Sequence, residues 1–127
     1  MVAALPANIK VAFEGAVPNN QLPRIYQQNH LFVLPTHGEN FGHVIYDAFV
    51  NGRPVLISDL TPWKGLSGSN CGWDLPLSNE SAFVDALNEA AHWTQNDFDK
   101  VAAGSWQFAR NYIAGLQIKE SYQKLFA

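Results

Sequence analysis

Apolar and polar positions along this chain follow two periods, and the period separates strand from helix. Ile9-Lys10-Val11-Ala12-Phe13 places apolar residues at odd positions and stops at Glu14-Gly15, which predicts a strand. Pro18-Asn19-Asn20 predicts a turn. Residues 21–28 predict a short helix with Pro23 in its first turn, where the missing N–H does no harm, and with Leu22, Ile25 and Tyr26 on its apolar face. The unbroken apolar run at 31–34 predicts a strand covered on both faces. Phe41, Val44, Ile45, Ala48 and Phe49 fall at i, i+3, i+4, i+7 and i+8, the stripe of an amphipathic helix, and Asn51-Gly52 ends it. Residues 54–57 predict the next buried strand, with Pro54 tolerated at its first position. A loop over 58–70 leads to a short strand at 72–75.

Beyond Ser78 the pattern is helical throughout. Phe83, Ala86, Leu87, Ala90 and Ala91 form one apolar face. Asn96 is placed to cap a second helix carrying Phe98, Val101, Ala102, Phe108, Ala109, Tyr112 and Ile113. Ile118, Tyr122, Leu125 and Phe126 predict a third. Four short strands alternating with helices imply parallel βα units, with helices on both faces of the sheet. The fold class is α/β, with a parallel sheet of about four strands.

Length and composition narrow the function. The 127 residues are 47% hydrophobic and 15% charged, enough for one small domain with one core. A net charge of −3 gives no basic footprint for nucleic acid. Cys71 is the single cysteine, which excludes an internal disulfide framework and makes a reducing, cytoplasmic compartment the expectation. No visible base partner marks Cys71 as a nucleophile. No apolar run approaches the roughly 20 residues of a membrane span, so the chain is not expected to insert, although peripheral association is compatible with it.

The candidate chemistry lies where the strand at 31–34 meets the helix that follows. In an open α/β sheet, ligands bind beyond the carboxyl ends of the strands. Thr36 to Gly42 occupies that position. Backbone N–H groups near Asn40 to His43 lack intrahelical acceptors, and the helix dipole adds partial positive charge there. Phosphate oxygens or sugar hydroxyls can satisfy such donors. Gly38 and Gly42 remove side chains where a ligand would approach the backbone. Glu39 precedes the first helical turn and Asp47 lies roughly 10 Å further along the helix axis, on a polar stripe with Asn40, His43 and Asn51. Two carboxylates so spaced can grip opposite ends of an elongated, hydroxyl-rich ligand. The same residues also suit plain roles, Glu39 and Asn40 as helix caps and His43 and Asp47 as a solvated face.

The segment FVLPTHGENFGHVIYDAFVNGRPVLISDLTPW, followed by GWDLPL, resembles the nucleotide-sugar-binding domain of group 1 retaining glycosyltransferases of the GT-B fold. The matching positions are Pro35-Thr36, Glu39, Phe41-Gly42, Asp47, Ala48, Gly52 and Pro54-Val55. The resemblance runs from about Ile9 to the C-terminal helices, and makes residues 1–127 a truncated C-terminal part of the domain. It implies that Glu39 contacts donor-sugar hydroxyls at the reacting centre and that the backbone of Asn40, Phe41 and Gly42 helps hold the sugar or diphosphate. Asp47 stands where the family carries a second Glu on the nucleotide ribose, one methylene shorter here. His37 and Gly38 belong to the same loop. Thr61-Pro62-Trp63-Lys64 lies on the same edge of the sheet, with Lys64 placed to offset phosphate charge and Trp63 to stack on a base or sugar. His30 reads as structural, and Trp73, Trp93 and Trp106 as packing residues.

The resemblance further implies a nucleotide-diphosphate sugar as donor substrate, no cofactor and no obligatory metal, and an acceptor wall from an N-terminal domain that this chain does not contain. The family's basic Gly-Arg and Lys-Gly loop is also missing, so the chain alone is expected to be inactive. Two strands of the family's sheet are missing between the segment at 9–13 and the strand at 31–34. Residues 9–13 would then pair directly beside 31–34, or the exposed edge would recruit a second copy of the chain as a homo-oligomer. Alternatives are an epimerase or phosphorylase on the same frame, and a non-catalytic nucleotide-sugar-binding module.

Overall fold

The structure, a computed structural model, describes residues 6–125. A 3-10 turn at Asn19–Gln21 runs into α1 (Leu22–Gln27), followed by β1 (Phe32–Leu34), α2 (His43–Val50), β2 (Val55–Ser58), β3 (Gly72–Leu75), α3 (Glu80–Ala91) and α4 (Gln95–Leu125). The three strands form a parallel sheet in the order β1-β2-β3, with Phe32 opposite Val55 and Val55 opposite Gly72. β2 is central, and each of its residues is buried. Successive strand side chains point to opposite faces. Val55 and Ile57 join Ile45, Ala48 and Phe49 of α2 and Ala109 of α4 in the core, whereas Leu56, on the other face, is buried outside that cluster. Both faces are therefore covered, and the α/β class holds.

Among the described residues the sheet has three strands rather than four. Residues 9–13 form no strand: Ile9, Val11 and Phe13 are 47%, 60% and 97% exposed. An alternating pattern becomes a strand only with a ladder to join and a face to bury. Neither is present, so the segment does not pair beside β1.

The C-terminal region also departs from expectation. The two helices predicted beyond Asn96 are one continuous 31-residue helix, α4, roughly 47 Å long. No proline interrupts it, and Gly104 and Gly115 each weaken a helix by only about 1 kcal/mol. The cap is Thr94, not Asn96. The Asp97 N–H donates to Thr94 Oγ1 at 3.1 Å and the Thr94 N–H donates to Asp97 Oδ2 at 3.0 Å, a reciprocal capping box. Hydrogen bonding to the carboxylate from the Thr94 N–H first, and from the Thr94 side chain second, holds the Asp97 carboxyl below its usual pKa. Phe126 and the Tyr122 side chain lie outside the described residues.

Candidate functional site

Parallel β1 and β2 end on the same side of the sheet, and the candidate loop grows from that side. Past Leu34 the chain turns sharply, with the Thr36 N–H on the Leu34 carbonyl at 2.9 Å. Thr36 then organises the next residues. Its Oγ1 accepts from the Gly38 N–H at 3.2 Å and lies 3.0 Å from the Gly38 carbonyl and 3.4 Å from Glu39 Oε1. The Glu39 side chain, half-buried, is thus held beside its own loop, while His37, Gly38 and Asn40 are exposed. The Ser58 hydroxyl, buried at the end of β2, donates to the Thr36 carbonyl and fixes the loop to the neighbouring strand.

The entry into α2 differs from the expected one. The helix begins at His43, and Phe41 stands ahead of it rather than on its face. Gly42 is the N-cap, in the left-handed region at φ 79°, with no side-chain cap. A Cβ on Gly42 would lie 3.0 Å from Ile45 Cδ1 and 3.2 Å from Trp63 Nε1. The absent side chain therefore makes room for the core. The Ile45 and Tyr46 N–H groups bond the Gly42 carbonyl, and no acceptor for the His43 and Val44 N–H groups is found among the described residues. The open donors are thus His43 and Val44, slightly later than the sequence suggests. The helical spacing ahead of Asp47 is only one turn from His43, about 6 Å, and the rest of the path from Glu39 is loop.

Asp47 is half-buried on α2. Its negative charge is felt by two neighbouring phenols. Burial first, and Asp47 second, push Tyr26 up to about 12, and Tyr46 is raised by burial, by Tyr112 and by Asp47. The Tyr26 hydroxyl donates to the Val44 carbonyl at 2.9 Å, linking α1 to α2.

Trp63 is not available to stack on a ligand. It is buried, donates from Nε1 to the Phe41 carbonyl at 2.6 Å and stacks on Tyr46 at 5.7 Å between ring centroids. Phe41, Phe49 and Tyr112 pack around it at 5.0–5.7 Å. The indole thereby locks the Phe41-Gly42 corner. Lys64 is exposed, and its ammonium bonds the Asp59 carbonyl. It shares a cavity of about 250 Å³ with Phe41, Pro62 and Tyr112, which places it beside the loop's aromatic end.

Sequence reasoning passed over Ser58 and Arg53. Arg53 Nε donates to the Tyr26 carbonyl at 2.8 Å and Nη2 to the Gln27 carbonyl at 2.9 Å, so it closes the end of α1 and joins it to the turn after α2. Ser58 had a signal, a hydroxyl completing a buried apolar run, which must find a partner. Arg53 had none, because the α1 carbonyls it holds, those of Tyr26 and Gln27, lie more than twenty residues away. Among the described residues no group of three or more His, Cys, Asp or Glu could hold a metal ion, and no described helix is long and apolar enough to cross a membrane.

The fold is thus an α/β domain with a parallel sheet, and the carboxylate-bearing loop lies at the end of the strands where open sheets of this class bind ligands. The family model described as "Glycosyl transferases group 1" matches residues 1–98, and the chain belongs to that family. Mannosylfructose-phosphate synthase of Agrobacterium fabrum is 39% identical over 57 residues, 45% of this chain and 13% of that protein. O-antigen chain mannosyltransferase RfbU of Salmonella typhimurium is 25% identical over 118 residues, 84% of this chain and 33% of its own length. O-antigen chain mannosyltransferase B of Escherichia coli is 33% identical over 86 residues, 68% of this chain and 21% of its own. The chain thus spans a third or less of the length of each of these relatives.

Proposed function

We propose that this chain supplies the donor-binding wall of a retaining glycosyltransferase that moves a sugar from a nucleotide-diphosphate donor to an acceptor. The observation that carries the reading is the Thr36–Gly42 loop. It presents the Glu39 carboxylate beside Thr36 at the carboxyl end of β1, in the loop that leads into the open His43 and Val44 N–H groups of α2. Glu39 accepts hydrogen bonds from donor-sugar hydroxyls and orients the anomeric carbon. The α2 N-terminus takes diphosphate or sugar oxygens, where free N–H groups and the helix dipole act together. Exposed His37 and Asn40 flank the sugar, and Lys64 balances phosphate charge once it leaves the Asp59 carbonyl. Asp47 reaches the ribose directly or through a water. Charge developing on the departing diphosphate is met by these donors rather than by an obligatory metal.

Two of the relatives are named mannosyltransferases, so a nucleotide-activated mannose is the first donor to test. Transfer is expected to require an acceptor-binding wall beside this one. Saturation-transfer NMR of GDP-mannose with the 127-residue chain should give weak binding, lost in Glu39→Gln and strengthened in Asp47→Glu. If neither GDP-mannose nor another nucleotide sugar receives saturation, or if Glu39→Gln leaves it unchanged, the reading fails. Unchanged affinity in Asp47→Glu would remove the ribose role alone.

A further inference from the structure

One cavity lies away from the candidate donor loop. It has a volume of about 490 Å³ and opens where the start of β3 meets the α3–α4 junction. In the parallel register Phe32, Val55 and Gly72 share one end of the sheet, and the donor loop leaves β1 at the other. A ligand here is therefore not the donor held by Glu39.

The lining has two parts. Trp73 of β3 and Trp93, just before α4, stack with ring planes 10° apart and centroids 5.8 Å apart, and both indoles are half-exposed. Around them stand Glu89, His92, Asp97 and Lys100. The Asp97 carboxylate is committed to the Thr94 N–H, and His92 Nδ1 to the Asn88 carbonyl at 2.7 Å, which leaves His92 Nε2 free of that bond. The Glu89 and Lys100 side chains are exposed.

This chemistry selects among ligands. A phosphorylated ligand would meet two carboxylates and one ammonium, so net repulsion disfavours it. A purely apolar ligand would desolvate four polar side chains without replacing their hydrogen bonds. A neutral pyranose satisfies both parts. Its aliphatic C–H face lies against the electron-rich indole, and its hydroxyls donate to Glu89 and accept from Lys100. The volume falls within the range of small-molecule sites. We infer that this cavity is a second saccharide-binding site, one that takes a neutral oligosaccharide independently of the donor loop.

The test is saturation-transfer NMR with α-linked mannotriose and the full chain, without nucleotide. Expected is transfer to the sugar ring protons, abolished in Trp93→Ala and weakened about fivefold in Glu89→Ala, the loss of one hydrogen bond. Glu39→Gln should leave it unchanged, which separates this site from the donor reading whichever way that reading fares. Absence of transfer overturns the inference, as does a signal that survives both cavity variants or disappears in Glu39→Gln. If Trp93→Ala loses its circular dichroism, Glu89→Ala and Lys100→Ala at exposed positions decide. A nucleoside monophosphate that competes mannotriose off would assign the indoles to a base and overturn the saccharide reading.

Discussion

Gly42 carries more structural constraint than any charged residue of the loop. Its left-handed backbone strains an L side chain, and the space a Cβ would occupy is already taken by Ile45 and Trp63. Gly42→Ala should lower the unfolding free energy by about 1–3 kcal/mol in urea titration. Gly38→Ala, with nothing within 4 Å of a built Cβ, should be close to neutral for stability. A stable Gly38→Ala chain that has lost nucleotide-sugar binding would show that Gly38 serves the ligand rather than the fold. Cys71 and Tyr26 make a second residue-scale prediction, in pH. Burial, with Asp74 adding to it, pushes the Cys71 thiol from 9.0 up to about 12, and Tyr26 rises from 10.0 to about 12. Both groups lose their protons more readily unfolded than folded. Their contribution is full below pH 9, declines from about 9 for Cys71 and 10 for Tyr26, and is gone above about 12. Urea midpoints should fall steadily above pH 9, and the native thiol should resist iodoacetamide at pH 8 until denaturant is added. A flat midpoint between pH 9 and 11 would contradict the assignment.

At the scale of elements, α4 contains two glycines with opposite expectations. A Cβ on Gly104 would lie 2.2 Å from the Asn70 carbonyl oxygen, so this glycine lets the helix meet the loop before β3. Gly115 has nothing within 4 Å. Gly104→Ala should therefore destabilise by about 1–3 kcal/mol through overpacking, despite its better helix propensity. Gly115→Ala should stabilise by up to about 1 kcal/mol. Thermal unfolding of the two variants side by side checks the sign of each. The same helix shows what the sequence could and could not reveal. α3 and β3 were legible because their signals are local, an apolar stripe in one and a short run between turns in the other. Thr94-x-x-Asp97 carries the local spacing of a capping box, and Asn96 between them has a cap-favouring side chain without being the cap. The start of α2 was not: Phe41 fits the helical spacing, but its burial comes from Trp63 and Tyr112, residues distant in sequence. The position of the candidate loop was legible from its residue types and its place after an apolar run. Its bracing by Ser58 and Trp63 depends on tertiary neighbours, and so the ligand role first given to Trp63 gives way to a structural one.

At the scale of the molecule, the sheet is left with an open side. Among the described residues β1 pairs only with β2. The Phe32 N–H points inward, to the Pro54 carbonyl at 3.1 Å. Since backbone groups alternate along a strand, the Val33 N–H and carbonyl project outward, away from β2. Val33 is 44% exposed, and an apolar cavity of about 210 Å³, lined by Leu22, Ile25, Phe32 and Val33, runs beside it. Residues 9–13 do not cover this edge, so the alternative raised by the sequence, pairing with a second copy, is the one to test. Light scattering at rising concentration should show a mass approaching twice 14.1 kDa. Val33→Pro removes an outward donor without touching the ladder to β2, and should return the protein to one chain mass with its circular dichroism unchanged. A wild-type chain that stays monomeric at high concentration would show that this edge does not self-associate. A Val33→Pro dimer would move the interface elsewhere, with the exposed Ile113, Leu116 and Ile118 of α4 the next surface to examine.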